Sequence, residues 1–94
     1  MMNETSSPQR PPTIPVLRKT CAERGGILWY DRFPVGTLFP YIKNWEEGFA
    51  SREPAGYINV VYFGDAEIVH LTQEQIDSTG GFYSRGAAND QVSA

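Results

Sequence analysis

All twelve aromatic residues of this 94-residue chain, two Trp, five Tyr and five Phe, lie between Trp29 and Tyr83. Aromatic side chains bury large apolar areas and dominate the energetics of small cores. Four of the seven prolines lie before residue 16. Proline removes a backbone donor and favours extended conformations. The sequence therefore predicts one aromatic-rich domain behind a proline-rich tail.

The predicted domain organisation follows this split. Residues 1–15 are predicted to be a disordered tail, 16–85 a small β-rich domain, and 86–94 a flexible C-terminal tail. A core of this size is marginal by itself and often depends on a partner or a second copy. We therefore expect the protein to act by contact.

Three segments before Gly64 carry extended patterns. Residues 27–30 form a short apolar run that predicts a buried strand, and residues 37–45 predict a second strand. Pro40 lacks a donor, so that strand is predicted to be an edge strand or to break there. Residues 44–56 contain glycine, proline and glutamates and indicate a polar loop. Residues 57–63 carry the strongest strand pattern, because they are rich in β-branched and aromatic residues.

Gly64 and Asp65 predict a two-residue turn that joins residues 57–63 to the strand at 66–71 as a hairpin. The expected pairs are Val61 with Ile68, Asn59 with His70, Val60 with Val69 and Ile58 with Leu71. Both faces of such a hairpin are largely apolar. It would be buried on both sides, or one face would bind a partner.

The C-terminal part predicts a helical turn. Thr72 and Gln75 fit a capping box, Ile76 should point inward, and Gly80-Gly81 should end the turn before a last strand at 82–84. The predicted fold class is mainly β, a small SH3-like curved sheet or barrel with one short helical turn. The alternative is an α+β fold with an N-terminal helix at about residues 16–24, which ends at Gly25.

Charge and cysteine content exclude several classes. The net charge of -3 combines +2 in residues 1–24 with -5 in residues 25–94, which opposes broad binding to nucleic acid. One cysteine excludes a disulfide framework and a cysteine-rich metal site. No apolar run approaches the length of a membrane span, and no apolar signal region is present. We expect a cytoplasmic protein with no membrane association and no cofactor or metal.

Residues for catalysis are few. His70 and the pair Glu46 and Glu47 are the candidates for a small enzyme subunit. Neither lies in a recognisable catalytic or metal-ligating spacing. Enzyme activity is therefore an alternative and not the leading expectation.

The leading prediction is a non-catalytic protein-binding module, such as a small accessory, adaptor or inhibitor protein. Its size and lack of motifs suggest a viral or mobile-element origin. Self-association through the hairpin would make it a homo-oligomer. Interfaces favour aromatic and Arg anchors. The predicted contact residues are Trp29, Tyr30, Arg32, Phe33, Tyr41 and Trp45.

A second prediction is a small β-barrel that binds nucleic acid. Its stacking platform would combine cations with aromatic rings on one surface. The residues are Arg32, Lys43 and Arg52 with Tyr30, Tyr41 and Trp45.

Overall fold

A computed structural model describes residues 10–84 and shows a mainly β protein. Six strands form two antiparallel three-stranded sheets, with a 3₁₀-helix at Phe63–Asp65 and one α-helix. The elements are β1 (Thr13–Lys19), β2 (Leu38–Pro40), β3 (Lys43–Asn44), β4 (Gly48–Arg52), β5 (Ile58–Tyr62), β6 (Ala66–Thr72) and α1 (Gln73–Ser78). The first sheet has the order β2-β1-β6, and the second has the order β3-β4-β5.

Strand β1 is the centre of the first sheet and is covered on both faces. Leu17 packs into the larger core cluster with Tyr30, Phe39 and Val61. Its neighbour Val16 faces the other way and packs with Leu38 and Ile76 of α1. Successive strand residues point to opposite faces, so two adjacent buried aliphatic residues require cover on both sides.

The N-terminal helix alternative is wrong, because residues 16–19 belong to β1. The strand also starts at Thr13, three residues before the predicted domain boundary at 16. The N–H groups of odd-numbered β1 residues point toward β2, as the bond from the Lys19 N–H to the Thr37 carbonyl shows. Strand β2 ends opposite Val16, so it has no residue opposite position 15. Pro15 is therefore tolerated in β1, because its missing N–H costs no hydrogen bond between strands. The tail predictions for 1–9 and for 86–94 fall outside the described residues.

The predicted hairpin between β5 and β6 is wrong, although both strands exist. β5 pairs with β4, and β6 pairs with β1 over seven residue pairs. The two strands belong to different sheets because the 3₁₀-helix separates them, and the carbonyl of Asp65 accepts a bond from Thr20. His70 consequently lies opposite Pro15 and not opposite Asn59.

Three local predictions also fail. Residues 48–52 of the predicted polar loop form β4, which is buried from Gly48 to Ser51. Residues 27–30 form a turn, in which the Asp31 carboxylate accepts the Leu28 N–H at 3.1 Å. Residues 82–84 do not form a strand; Tyr83 has a left-handed φ of 63°.

Other local predictions are confirmed. Pro40 lies at the end of an edge strand. Thr72 caps α1 in a complete capping box with Gln75, and Ile76 is 3% exposed. Gly80 and Gly81 have positive φ values just after the helix.

The two sheets contact each other where Ser51 Oγ donates to the Pro40 carbonyl at 2.6 Å. No strand pairing joins the sheets within residues 10–84. The mainly β class is therefore correct, whereas closure into an SH3-like barrel stays a prediction.

Candidate interaction surface

Most of the predicted contact aromatics belong to the core. Tyr30 is fully buried and has no surface to offer a partner. Trp29, Phe33 and Tyr41 are half-buried and pack against the larger core cluster. Only Trp45, at 38% exposed, and Arg32 lie on the surface among the predicted contact residues. The aromatic content that suggested an interface is used chiefly to fill a small core.

The Tyr30 hydroxyl is the centre of a polar network and not of a binding site. It donates to Asp65 Oδ2 at 2.5 Å and accepts the Tyr62 N–H at 3.2 Å. Arg24 bridges Asp31 at 2.8 Å and Asp65 at 3.1 Å. The network ties the 20–33 segment to the 3₁₀-helix.

The ionisation of this network is fixed by its contacts. Burial, followed by the hydrogen bond to Asp65, raises the pKa of Tyr30 above its ordinary 10.0. Burial also acts to raise the pKa of Asp65, but hydrogen bonds from Tyr30 and Arg24 outweigh it. The pKa of Asp65 therefore lies below its ordinary 3.8. A neutral tyrosine and a charged carboxylate are both stabilised, as expected of a structural network.

Lys19 is a second buried polar residue that the sequence did not single out. Its Nζ donates to the carbonyls of Cys21 at 2.7 Å and Ala22 at 3.1 Å, and the side chain is fully buried. It holds the chain as it leaves β1. The strand pattern itself gave no signal for a buried lysine.

The outer face of the second sheet is the strongest candidate surface. Because paired residues of an antiparallel sheet share a face, Trp45, Gly48 and Tyr62 form one row across β3, β4 and β5. The Trp45 N–H bonds the Gly48 carbonyl at 2.7 Å, which extends the β3–β4 register to this row. Trp45 and Tyr62 are each 38% exposed on either side of a residue without a side chain.

The next rows of this face continue the pattern. Lys43, Ala50 and Val60 form the second row, and Arg52 and Ile58 form the third. The central strand thus carries Gly48 and Ala50, while the flanking strands carry larger side chains. We call these eight residues the outer face: Lys43, Trp45, Gly48, Ala50, Arg52, Ile58, Val60 and Tyr62.

Gly48 is required for this arrangement. A Cβ there would collide with the Val61 carbonyl oxygen and would lie 2.8 Å from Tyr62 Cα and 3.0 Å from Val60 Cγ2. Because β4 and β5 approach so closely here, no side chain can project from the outer face between Trp45 and Tyr62.

The outer face is also cationic. Lys43 and Arg52 are both exposed, and neither forms an ion pair with any residue from 10 to 84. Arg52 Nη1 donates to the Gly56 carbonyl at 2.8 Å, which orients the guanidinium. The face therefore combines exposed apolar and aromatic groups with two uncompensated positive charges. The predicted nucleic-acid platform groups Lys43, Arg52 and Trp45 on one surface, but it misses Ile58 and Tyr62 beside them because the sequence pattern assigns residues 44–56 to a loop.

The predicted catalytic candidates are not brought together. Glu46 and Glu47 are exposed in the two-residue loop between Trp45 and Gly48, while His70 lies in the other sheet. His70 lies opposite Pro15, whereas Cys21 comes after Lys19, the last residue of β1. Four strand positions, or about 13 Å, therefore separate the His70 position from the end of β1 that precedes Cys21. Among residues 10–84, no group of three or more His, Cys, Asp and Glu side chains could hold a metal ion.

The chain matches no protein-family model, no curated protein and no solved structure. None of the helices in the described part of the chain has the length and apolar character needed to cross a membrane. The structure itself therefore defines the class, a small mainly β domain with an exposed aromatic and cationic sheet face.

Proposed function

We propose that this protein is a non-catalytic protein-binding module that uses the outer face. The row of Trp45, Gly48 and Tyr62 is the observation that carries the proposal. Tyr, Trp and Arg are the side chains that most often dominate interface energetics. Of the six contact residues predicted from the sequence, this proposal keeps only Trp45. It adds Tyr62, Ile58, Lys43 and Arg52.

The charges favour a particular kind of partner. Lys43 and Arg52 have no carboxylate partner among the described residues, although acids outnumber bases in the chain. A partner segment with acidic side chains would complement these cations, while its apolar side chains would contact the exposed Trp45, Ile58 and Tyr62. An accessory, adaptor or inhibitor role in the cytoplasm, as the sequence suggests, belongs to this proposal.

Selection of peptides from a random library on the immobilised protein tests the proposal. We expect enrichment of peptides that combine acidic and apolar residues. Trp45→Ala with Tyr62→Ala should weaken the binding of selected peptides at least about thirtyfold, because hot-spot truncations cost about 2 kcal/mol or more. Ile14→Ala with Val35→Ala is the matched control, since these exposed apolar residues lie outside the outer face.

The proposal fails if no peptide is enriched, or if the selected peptides bind the Trp45→Ala/Tyr62→Ala variant as tightly as the control variant. Near-UV circular dichroism of both variants establishes that the fold is retained. Lys43→Glu with Arg52→Glu should reverse the preference for acidic peptides, which tests the charge argument separately.

Binding of single-stranded nucleic acid is the second candidate, because Lys43 and Arg52 share a face with Trp45. Aromatic rings beside cations are the usual platform for unpaired bases. The net charge of -3 opposes it. A fluorescent oligonucleotide titrated at low salt decides the question: binding that falls steeply as salt rises favours this candidate, and absence of binding at low salt eliminates it.

A further inference from the structure

The edge strands of the two sheets differ in how many of their outward backbone groups have hydrogen-bond partners. An edge strand with unpaired N–H and C=O groups is a template for another strand. Along β5 three of the outward backbone groups are covered by side chains. The Val60 carbonyl accepts from Trp29 Nε1 at 2.8 Å, the Val60 N–H donates to Asn59 Oδ1 at 2.7 Å, and the Tyr62 N–H donates to the Tyr30 hydroxyl.

The outward carbonyls of β2 are covered as well. The Leu38 carbonyl accepts from the Tyr83 N–H at 2.9 Å, and the Pro40 carbonyl accepts from Ser51 Oγ. Pro40 has no N–H to present. Strand β3 offers only two residues. Three of the four sheet edges are thus partly covered or very short.

Strand β6 presents the remaining edge and leaves it open. The Thr20 N–H bonds the Asp65 carbonyl, so even-numbered residues of β1 bond odd-numbered residues of β6. The backbone groups of Ile68 and His70 therefore point away from β1, and no residue from 10 to 84 pairs with them. The strand has seven residues in unbroken register and contains no proline, lysine or bulge.

We propose that a second copy of this chain adds its own β6 to this edge, in antiparallel orientation about a twofold axis at Val69. In this register Ile68 exchanges both backbone hydrogen bonds with His70 of the second copy, and the symmetric pair does the same. All seven residues of each β6 then lie opposite residues of the other, from Ala66 to Thr72. The two first sheets become one continuous six-stranded sheet.

The proposed register places no like charges opposite each other. Glu67 is the only charged residue of β6, and its carboxylate pairs with Arg18 of the same chain at 2.6 Å. In the proposed register Glu67 lies opposite Leu71 of the second copy, so no like charges face each other. A register centred on Glu67 would oppose two carboxylates.

Residues 1–9 and 85–94 carry little sequence preference for a strand. Residues 1–9 and 85–94 contain one β-branched aliphatic residue, Val92, and the first segment includes Pro8. A second β6 combines β-branched residues, unpaired backbone groups and matching length. This inference concerns the first sheet and does not depend on the outer face, so either proposal can fail without the other.

Disulfide trapping tests the inference most directly. In a Cys21→Ser background, Val69→Cys should form a covalent dimer on mild oxidation, because residues on the twofold axis form a non-hydrogen-bonded pair about 4.5 Å apart between Cα atoms. Glu67→Cys is the matched control. It is more exposed than position 69, so random collisions would crosslink it faster, whereas the proposed dimer crosslinks position 69 faster.

Sedimentation equilibrium supplies the second measurement. The unmodified chain should show a reversible monomer–dimer equilibrium, which His70→Pro should abolish, because this proline removes only an outward donor. Trp45→Ala with Tyr62→Ala should leave the equilibrium unchanged. A monomer at every concentration, or faster crosslinking at position 67 than at 69, would overturn the inference. Crosslinking decides the outcome even if the proline variant does not fold.

Discussion

At the residue scale, Tyr30 contributes both to the apolar core and to a buried polar network. Its ring packs in the larger core cluster, at 5.5 Å from Trp29, while its hydroxyl joins Asp65 to the backbone of β5. Buried polar groups are costly unless paired, and here each partner of the hydroxyl is itself part of the network. Tyr30 therefore has a structural role in place of the contact role predicted for it.

Replacing Tyr30 with Phe should lower the free energy of unfolding by about 1–3 kcal/mol, because the Tyr62 N–H loses its acceptor and Asp65 loses a donor. Urea denaturation measures the change. Tyr41→Phe is the matched control, since its hydroxyl bonds Asn44 at an exposed site and should contribute within about 0.5 kcal/mol. Equal effects of the two substitutions would contradict the role given to Tyr30.

At the element scale, β4 is the strand that the sequence pattern concealed. Its residues from Gly48 to Arg52 include small and polar side chains that are typical of a loop, yet four of them are buried. Ser51 is buried because its hydroxyl bonds the Pro40 carbonyl. Gly48 is buried because β5 passes too close for a side chain. Contacts with distant strands override a weak local preference.

Gly48→Ala should destabilise the protein by about 1–3 kcal/mol, because the added methyl group meets the backbone of Val61 and Tyr62 and forces the strands apart. Gly64→Ala is the matched control, since a methyl group added there meets no atom within 4 Å and its φ is not in the left-handed region. Thermal unfolding of the two variants provides the comparison. A Gly48→Ala variant as stable as Gly64→Ala would show that the approach of β4 to β5 is not limiting.

At the scale of the whole molecule, β1 and Tyr83 join the parts. Val16 and Leu17 of β1 serve the two core clusters on opposite faces of the first sheet. Tyr83 bonds Leu38 of the first sheet through its N–H and the Arg52 carbonyl of the second sheet through its hydroxyl. Its left-handed φ is unfavourable for a tyrosine, so these contacts hold it there. We therefore expect the clusters to unfold together.

Ile76→Ala tests this cooperativity from the smaller cluster. It should lower the free energy of unfolding by about 2–5 kcal/mol, as expected for a buried Ile truncation. Tryptophan fluorescence, to which Trp29 beside the larger cluster and Trp45 both contribute, and far-UV circular dichroism should still report one coincident transition. Two separate transitions would show that α1 and its cluster unfold independently. Val35→Ala, at an exposed position, serves as the control.

The sequence by itself determined the mainly β class, the edge position of Pro40, and the capping box of α1. Each depends on local chemistry: β-branched and aromatic runs favour extended backbone, proline cannot donate, and Thr72 reaches only its own helix. The sequence also predicts that both faces of β6 are apolar. The structure explains this, because core clusters pack against both faces of the first sheet.

Only the tertiary structure decided strand pairing, and with it the candidate site. Adjacent strands β5 and β6 were expected to pair as a hairpin, but each finds its partner elsewhere in the chain. The position of an aromatic residue in the core or on a surface depends on that pairing, which placed Tyr30 inside and Trp45 beside Gly48 on the outer face. Local patterns carry no information about such long-range contacts, because the partner strand lies outside the window in which a pattern is read.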